Sequence, residues 1–186
     1  MKRSQSSFLG SVWPVIGPMI GGGRVVSMEA SKDSELRSLF DTAGGVDAWQ
    51  VLEGGAIYGV ASRVQPSGID FSTFTVRLSR DTASRTEWQK LYEAVTAGDG
   101  RVYPRWFVQA YMDKQSTSVI SVAAIHTDEL VMFIKENCHV LRDVGYCVNA
   151  RFWKVSWDRL CDSCGSLVVS RPSKSSDVVM LEEITP

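Results

Sequence analysis

The stretch GGVDAWQVLEGGAIYGVASRVQ, residues 44 to 65, carries three side chains suited to phosphate chemistry. Asp47 heads one alternating run, and Arg63 and Gln65 stand two apart near the end of the next. A guanidinium is permanently cationic and has no acceptor, so Arg63 cannot ligate a metal. It can pair bidentately with a phosphate or with Asp47 itself. Gln65 is uncharged and can orient a water or a phosphate oxygen. Downstream, Arg77, Arg80, Arg85 and Lys90 gather on a predicted strand and the helix after it, whose N-terminus favours anions. Such a surface would hold a nucleic-acid backbone without reading its sequence, and Gln109 and Asp113 on the following strand could line the same edge. Structural roles are open to the same residues. Asp47 behind two glycines is a good turn residue, Arg63 can neutralise Asp47, and Arg77 and Arg80 can form a solvated face.

These residues need elements to position them. SMEASKDSELRSLFDTAGG reads as a helix, with Leu36, Leu39 and Phe40 at helical spacing and Gly44–Gly45 as its stop. Glu29 lies two turns before Leu36 and shares its inward face. A hairpin over 46–65 follows, with Tyr58, Val60, Ser62 and Val64 facing one way and Ala61, Arg63 and Gln65 the other. STFTVRLS alternates as a third strand, with Phe74, Val76 and Leu78 on one face. Ser84 and Glu87 have capping-box spacing before a helix whose stripe is Trp88, Leu91, Tyr92 and Val95. YPRWFVQAYMD and SVISVAAIHT read as strands, Thr127 can cap the helix DELVMFIKEN, and ARFWKVSWDRL reads as a last strand. The order predicts an α+β fold, a mixed-sheet α/β arrangement with helices against a central mixed sheet. A Gly/Pro-rich N-terminal arm (1–26), one domain (27–170) and a flexible C-terminal tail (171–186) complete the expected organisation.

The bulk numbers suit that plan. A chain of 186 residues, 44% hydrophobic and 22% charged, can bury a core and is not disordered by composition. Formal charge is -1, which excludes a general polycation but leaves room for a local basic face. No run is apolar and long enough to span a bilayer as a helix. The basic, apolar start resembles a secretory leader. However, Pro14, Gly17, Pro18 and Gly21–Gly23 break any continuous helix, so an arm docked on the domain is expected.

Helix–strand–strand–strand–helix–strand is the core order of the restriction-endonuclease-like fold, and residues 27 to 113 resemble that core. The similar stretches are LFDTAGGVDAWQV, GVASRVQ, FSTFTVRLSR and TEWQKL, so that about half of the chain resembles the PD-(D/E)XK superfamily, through a phage and bacterial subgroup with a degenerate motif. The resemblance implies a Mg²⁺ or Mn²⁺ ion held by an acid from the first helix and an aspartate on a strand, here Glu29 and Asp47. It also implies an acid and a lysine where this chain has Arg63 and Gln65, a departure from the family's pattern at both positions. The function implied is nucleic-acid binding, of DNA above all, with metal-dependent phosphodiester cleavage as its catalytic form. The alternative is a non-catalytic accessory or protein-interaction domain on the same scaffold, and a homodimer is compatible with either.

The cysteines Cys138, Cys147, Cys161 and Cys164 all fall in the last third and read as reduced thiols of a cytoplasmic protein. CDSCG resembles half a zinc knuckle, so Cys161 and Cys164 are the candidate zinc ligands. A site would need two more from Cys138, His139 or Cys147, at spacings that do not form a second CxxC. His126 is expected in a structural hydrogen bond, and RFWKVSWDRL could expose an aromatic ring to a base.

Overall fold

The computed structural model describes residues 6–28, 45–80, 85–97, 103–141 and 150–172. The chain opens with three consecutive helical turns of different pitch: a π turn Phe8–Val12, the α-helix α1 (Trp13–Ile16) and a 3-10 turn Gly17–Ile20. Pro14 and Pro18 do not break this path, because each falls in the first two positions of its segment, where no helical donor is lost. Phe8, Val12, Ile16 and Ile20 recur every fourth residue and are all buried. The turn ends at Gly21 with φ +99°, a conformation that favours glycine.

Six strands form the main sheet: β1 (Arg24–Ser27), β2 (Ala48–Val51), β3 (Ile57–Gln65), β5 (Pro104–Met112), β6 (Val119–His126) and β8 (Val168–Ser170), in that spatial order. Only the β3–β5 pair is parallel. The sheet is therefore mixed, and with its helices gives the expected α+β class. The strands β1 and β8 were not foreseen: β1 lies at the junction of the predicted arm and helix. Of that helix, residues 29–44 lie outside the described residues, as do 173–186 of the C-terminal tail.

The third predicted strand, β4 (Thr73–Arg80), leaves the main sheet and pairs antiparallel with β7 (Ala150–Ser156). Its other edge finds side-chain partners. Tyr111 Oη donates to the Thr73 carbonyl (2.8 Å), the Thr75 N–H to Gln109 Oε1 (3.3 Å), and the Arg77 N–H to Glu87 Oε2 (2.8 Å). Three side chains thus stand in for a strand, which satisfies backbone groups that burial would otherwise penalise.

Helix α2 (Glu87–Thr96) starts two residues later than Ser84 suggested. Thr86 is the cap, and its box partner is Gln89, whose side chain returns to the Thr86 N–H (2.9 Å). Helix α3 (Thr127–Asn137) begins without a side-chain cap: Thr127 is wholly buried instead. The last predicted strand stops at Ser156, whose hydroxyl caps the short helix α4 (Trp157–Cys161). The helical turns at the N-terminus cover one face of the main sheet over Val60, Val108, Ala110 and Val122. The small sheet with α2, α3 and α4 covers the other over Ala61, Phe107, Ala123 and Ile125. Among the described residues no helix is long and apolar enough to cross a membrane.

Candidate nucleic-acid interface

Asp47 immediately precedes β2, and continuing the Ala48↔Val60 register places it beside Ala61. Its Oδ2 accepts the Ser62 N–H (2.7 Å), while its own N–H donates to the Val60 carbonyl (2.9 Å). The carboxylate therefore extends the β2–β3 ladder one step past the end of β2. Arg63, the next residue on that face, turns away from Asp47. Its Nη2 donates to Glu87 Oε2 at 2.5 Å, with about a fifth to a quarter of each side chain exposed (19% and 25%). Glu87 is the first residue of α2, where the helix dipole favours a carboxylate. The acid that engages Arg63 thus comes from the helix and not from the first strand.

A second guanidinium lies close by. The Arg63 and Arg77 guanidinium carbons stand 5.2 and 5.5 Å from the centroid of the Phe152 ring. Arg77 has no carboxylate partner among the described residues, and its Nε is buried without an acceptor. Among the described residues, Glu87 is the one carboxylate that bonds to either guanidinium. Two residues further along the same face of β7, the Lys154 ammonium lies 5.8 Å from the Phe71 ring centroid. Phe71 in turn meets Tyr111 edge-on, with centroids 5.6 Å apart. A strip of three cations and two rings results: Arg77, Phe152, Arg63, Lys154, Phe71. Gln65 is half-buried and stands opposite Tyr111 in the β3–β5 register. Burial pushes the Tyr111 phenol up from its ordinary value, with Asp70 adding to the shift, so this hydroxyl acts as a hydrogen-bond donor.

The remaining predicted residues divide. Arg85 pairs with Glu93 (2.9 Å) on the surface, and Lys90 is half-buried on α2. Arg80 ends β4, and its side chain, like the whole of Glu29, lies outside the described residues. Gln109 is fully buried under β4, with its Nε2 lacking an acceptor. Asp113 does not join it: its carboxylate closes the β5–β6 turn by accepting from the Thr117 N–H (2.7 Å) and hydroxyl (2.6 Å). Those bonds hold it below the usual aspartate range. Trp157 is buried, so it offers no ring to a base. Lys154 and Phe71 were missed, and Phe152 was covered only by the expectation for RFWKVSWDRL as a whole, although the i, i+2 spacing of Phe152 and Lys154 was a readable signal of one strand face.

The described donors do not fit a Mg²⁺ site. One Asp47 oxygen is engaged by Ser62, and the position two residues before Gln65 is a cation bound to Glu87. Among the described residues no three His, Cys, Asp or Glu side chains converge. Of the candidate zinc ligands, Cys161 is exposed, burial with Glu129 nearby pushes the Cys164 thiol up to about 11, and Cys147 lies outside the described residues. The His126 backbone N–H donates to Ser166 Oγ (2.8 Å), and its ring packs against Trp106 (centroids 4.3 Å apart) with Nδ1 3.8 Å from Glu129 Oε1. A cavity of about 730 Å³ lies between Gly10, Val15, Gly68, Val119 and Pro172, away from the strip, and its one carboxylate is Asp113. Comparison of the chain with protein-family models, curated proteins and solved structures gave no match.

Proposed function

We propose that the protein binds nucleic acid, DNA in the first instance, through the strip of Arg77, Phe152, Arg63, Lys154 and Phe71, and that it does so without cutting it. The observation that carries this reading is the Phe152 ring with two guanidiniums over it, one of which has no acidic partner among the described residues. Cations at this spacing suit phosphates, and rings beside them suit bases. The resemblance to PD-(D/E)XK nucleases supports the same ligand class. The Arg63–Glu87 pair favours binding over cleavage, because it occupies the position at which that family has its second acid. The free thiols Cys138, Cys161 and Cys164 suit a reducing compartment, and we assign the protein to the cytoplasm.

The test is fluorescence anisotropy with a labelled duplex DNA at low salt, in EDTA and again in Mg²⁺ or Mn²⁺, followed by a gel for cleavage. Binding in EDTA, weakened about tenfold by Arg77→Gln with Lys154→Gln, with intact DNA in both metals, is the expected result. Absence of binding at low salt, to this duplex and to a single strand alike, would refute the ligand class. Metal-dependent cleavage that disappears in Asp47→Ala would refute the non-cutting part and restore Glu29 and Asp47 as metal ligands.

A further inference from the structure

The loop over 66–72, between β3 and β4, exposes two large apolar side chains, Ile69 (56%) and Phe71 (47%). It is nevertheless held at many points. Ser67 Oγ accepts the Ile69 N–H (3.2 Å), the Gly68 N–H donates to the Met112 carbonyl (2.9 Å), and Asp70 Oδ1 accepts the Ser72 N–H (2.7 Å). Arg171 reaches in from the end of β8, donating to Asp70 Oδ2 (3.2 Å) and Ser72 Oγ (3.0 Å). A short loop fixed this firmly presents its exposed apolar side chains in a set orientation, which lowers the ordering cost of any ligand that uses them.

We infer that the ligand is single-stranded nucleic acid and that Phe71 is a base-stacking residue. The inference rests on the nucleic-acid reading above and adds which form is bound. Edge-on packing against Tyr111, at an interplanar angle of 62°, fixes the Phe71 ring while leaving nearly half of the residue open. The Lys154 ammonium stands over the ring, 5.8 Å from its centroid, where it can meet the phosphate of a base stacked on the exposed part of the ring, and Phe152 with its two guanidiniums follows one strand repeat along β7 from Lys154. Two residues along a strand span about 6.6 Å, so rings and cations recur at an interval that suits an extended strand with splayed bases. In a duplex the base faces are already stacked on one another, and only the cations of the strip would be used.

The experiment measures binding of the full chain to fluorescein-labelled dT20, to U20 and to a 20-base-pair duplex by anisotropy. Wild type is compared with Phe71→Ala and with Phe71→Leu, which keeps an apolar contact on Tyr111 but removes the aromatic face. The expected result is binding of a single strand at least tenfold tighter than the duplex, with an about tenfold loss in both variants and an unchanged duplex affinity. Which of dT20 and U20 binds tighter identifies the sugar preferred. Equal losses on both forms, or no loss in either variant, would overturn the stacking role. Duplex binding without single-strand preference would overturn this inference alone. Failure to bind any of the three would remove the nucleic-acid reading as well and leave Ile69 and Phe71 as a surface for a protein partner.

Discussion

Removing the carboxylate of Glu87 should cost more than its place near the surface suggests. In Glu87→Ala, Arg63 loses its only acidic partner among the described residues, and the Arg77 N–H on the free edge of β4 loses its acceptor. A charge-assisted bond of this kind contributes about 1.5 kcal/mol where water still reaches the pair, and an orphaned N–H costs about 1 kcal/mol or more. Loss of an acidic group in the first turn of α2 adds about 0.5 kcal/mol. The total is about 3 kcal/mol, large against the 5–15 kcal/mol typical of a domain. Glu87→Gln keeps an acceptor for Arg77 and should cost only about 1 kcal/mol. Urea unfolding of the two variants and of Arg63→Met, alone and combined with Glu87→Ala, measures the terms separately, with a coupling energy of about 1–2 kcal/mol expected between Arg63 and Glu87. A loss below about 0.5 kcal/mol for Glu87→Ala, or equal losses for Ala and Gln, would refute the account of β4 as a strand held by side chains.

Four further outcomes follow from the packing and the titrations. Trp157→Ala empties a fully buried site between the small sheet and the main one, and urea unfolding should register a loss of about 3–5 kcal/mol. Gly23→Ala should destabilise clearly, because φ is +82° and a Cβ would stand 2.4 Å from the Val51 carbonyl oxygen; thermal unfolding checks it. Burial opposes ionisation of Asp70, but Ser72 and Arg171, with the buried Ser121 hydroxyl facing it short of normal hydrogen-bond geometry, outweigh burial and lower its pKa. Its stabilising contribution is therefore complete above the unfolded value of about 3.9 and is lost as pH falls through the lower folded value; Arg171→Ala should narrow that window in an acid titration of stability. Iodoacetamide at pH 8 should modify exposed Cys138 and Cys161 well before Cys164, whose thiol is pushed up to about 11, as peptide mass spectrometry would show.

Local pattern made much of the fold legible. Alternation in YGVASRVQ and STFTVRLS identified β3 and β4 and their faces, and the stripe of Trp88, Leu91, Tyr92 and Val95 identified α2. Sheet membership was not legible, because the partner of Thr73 is Ser156 and nothing local links residues so far apart. The free edge of β4 depends on Tyr111 and Gln109 from β5 and Glu87 from α2, side chains from two separate places in the chain. The start of α4 was hidden because an aromatic run reads as strand until the Ser156 cap is noticed. At the site, the facing of Arg63 and Gln65 was readable from period-two spacing, whereas the choice of Glu87 over Asp47 as the partner of Arg63 required the docking of α2. The helical turns over 8–20 show the same limit: prolines that read as breakers sit where first-turn geometry accepts them.

The central claim, that the strip of cations and rings holds phosphates, is tested most directly by the salt dependence of oligonucleotide binding. Anisotropy titrations of dT20 across a range of salt concentrations give the slope of log K against log salt for wild type and for Arg77→Gln with Lys154→Gln. The account predicts a negative slope in wild type that becomes shallower by about 1.4 in the double variant, one step of about 0.7 for each phosphate contact removed. Binding insensitive to salt, or a slope that the double variant leaves unchanged, would contradict it.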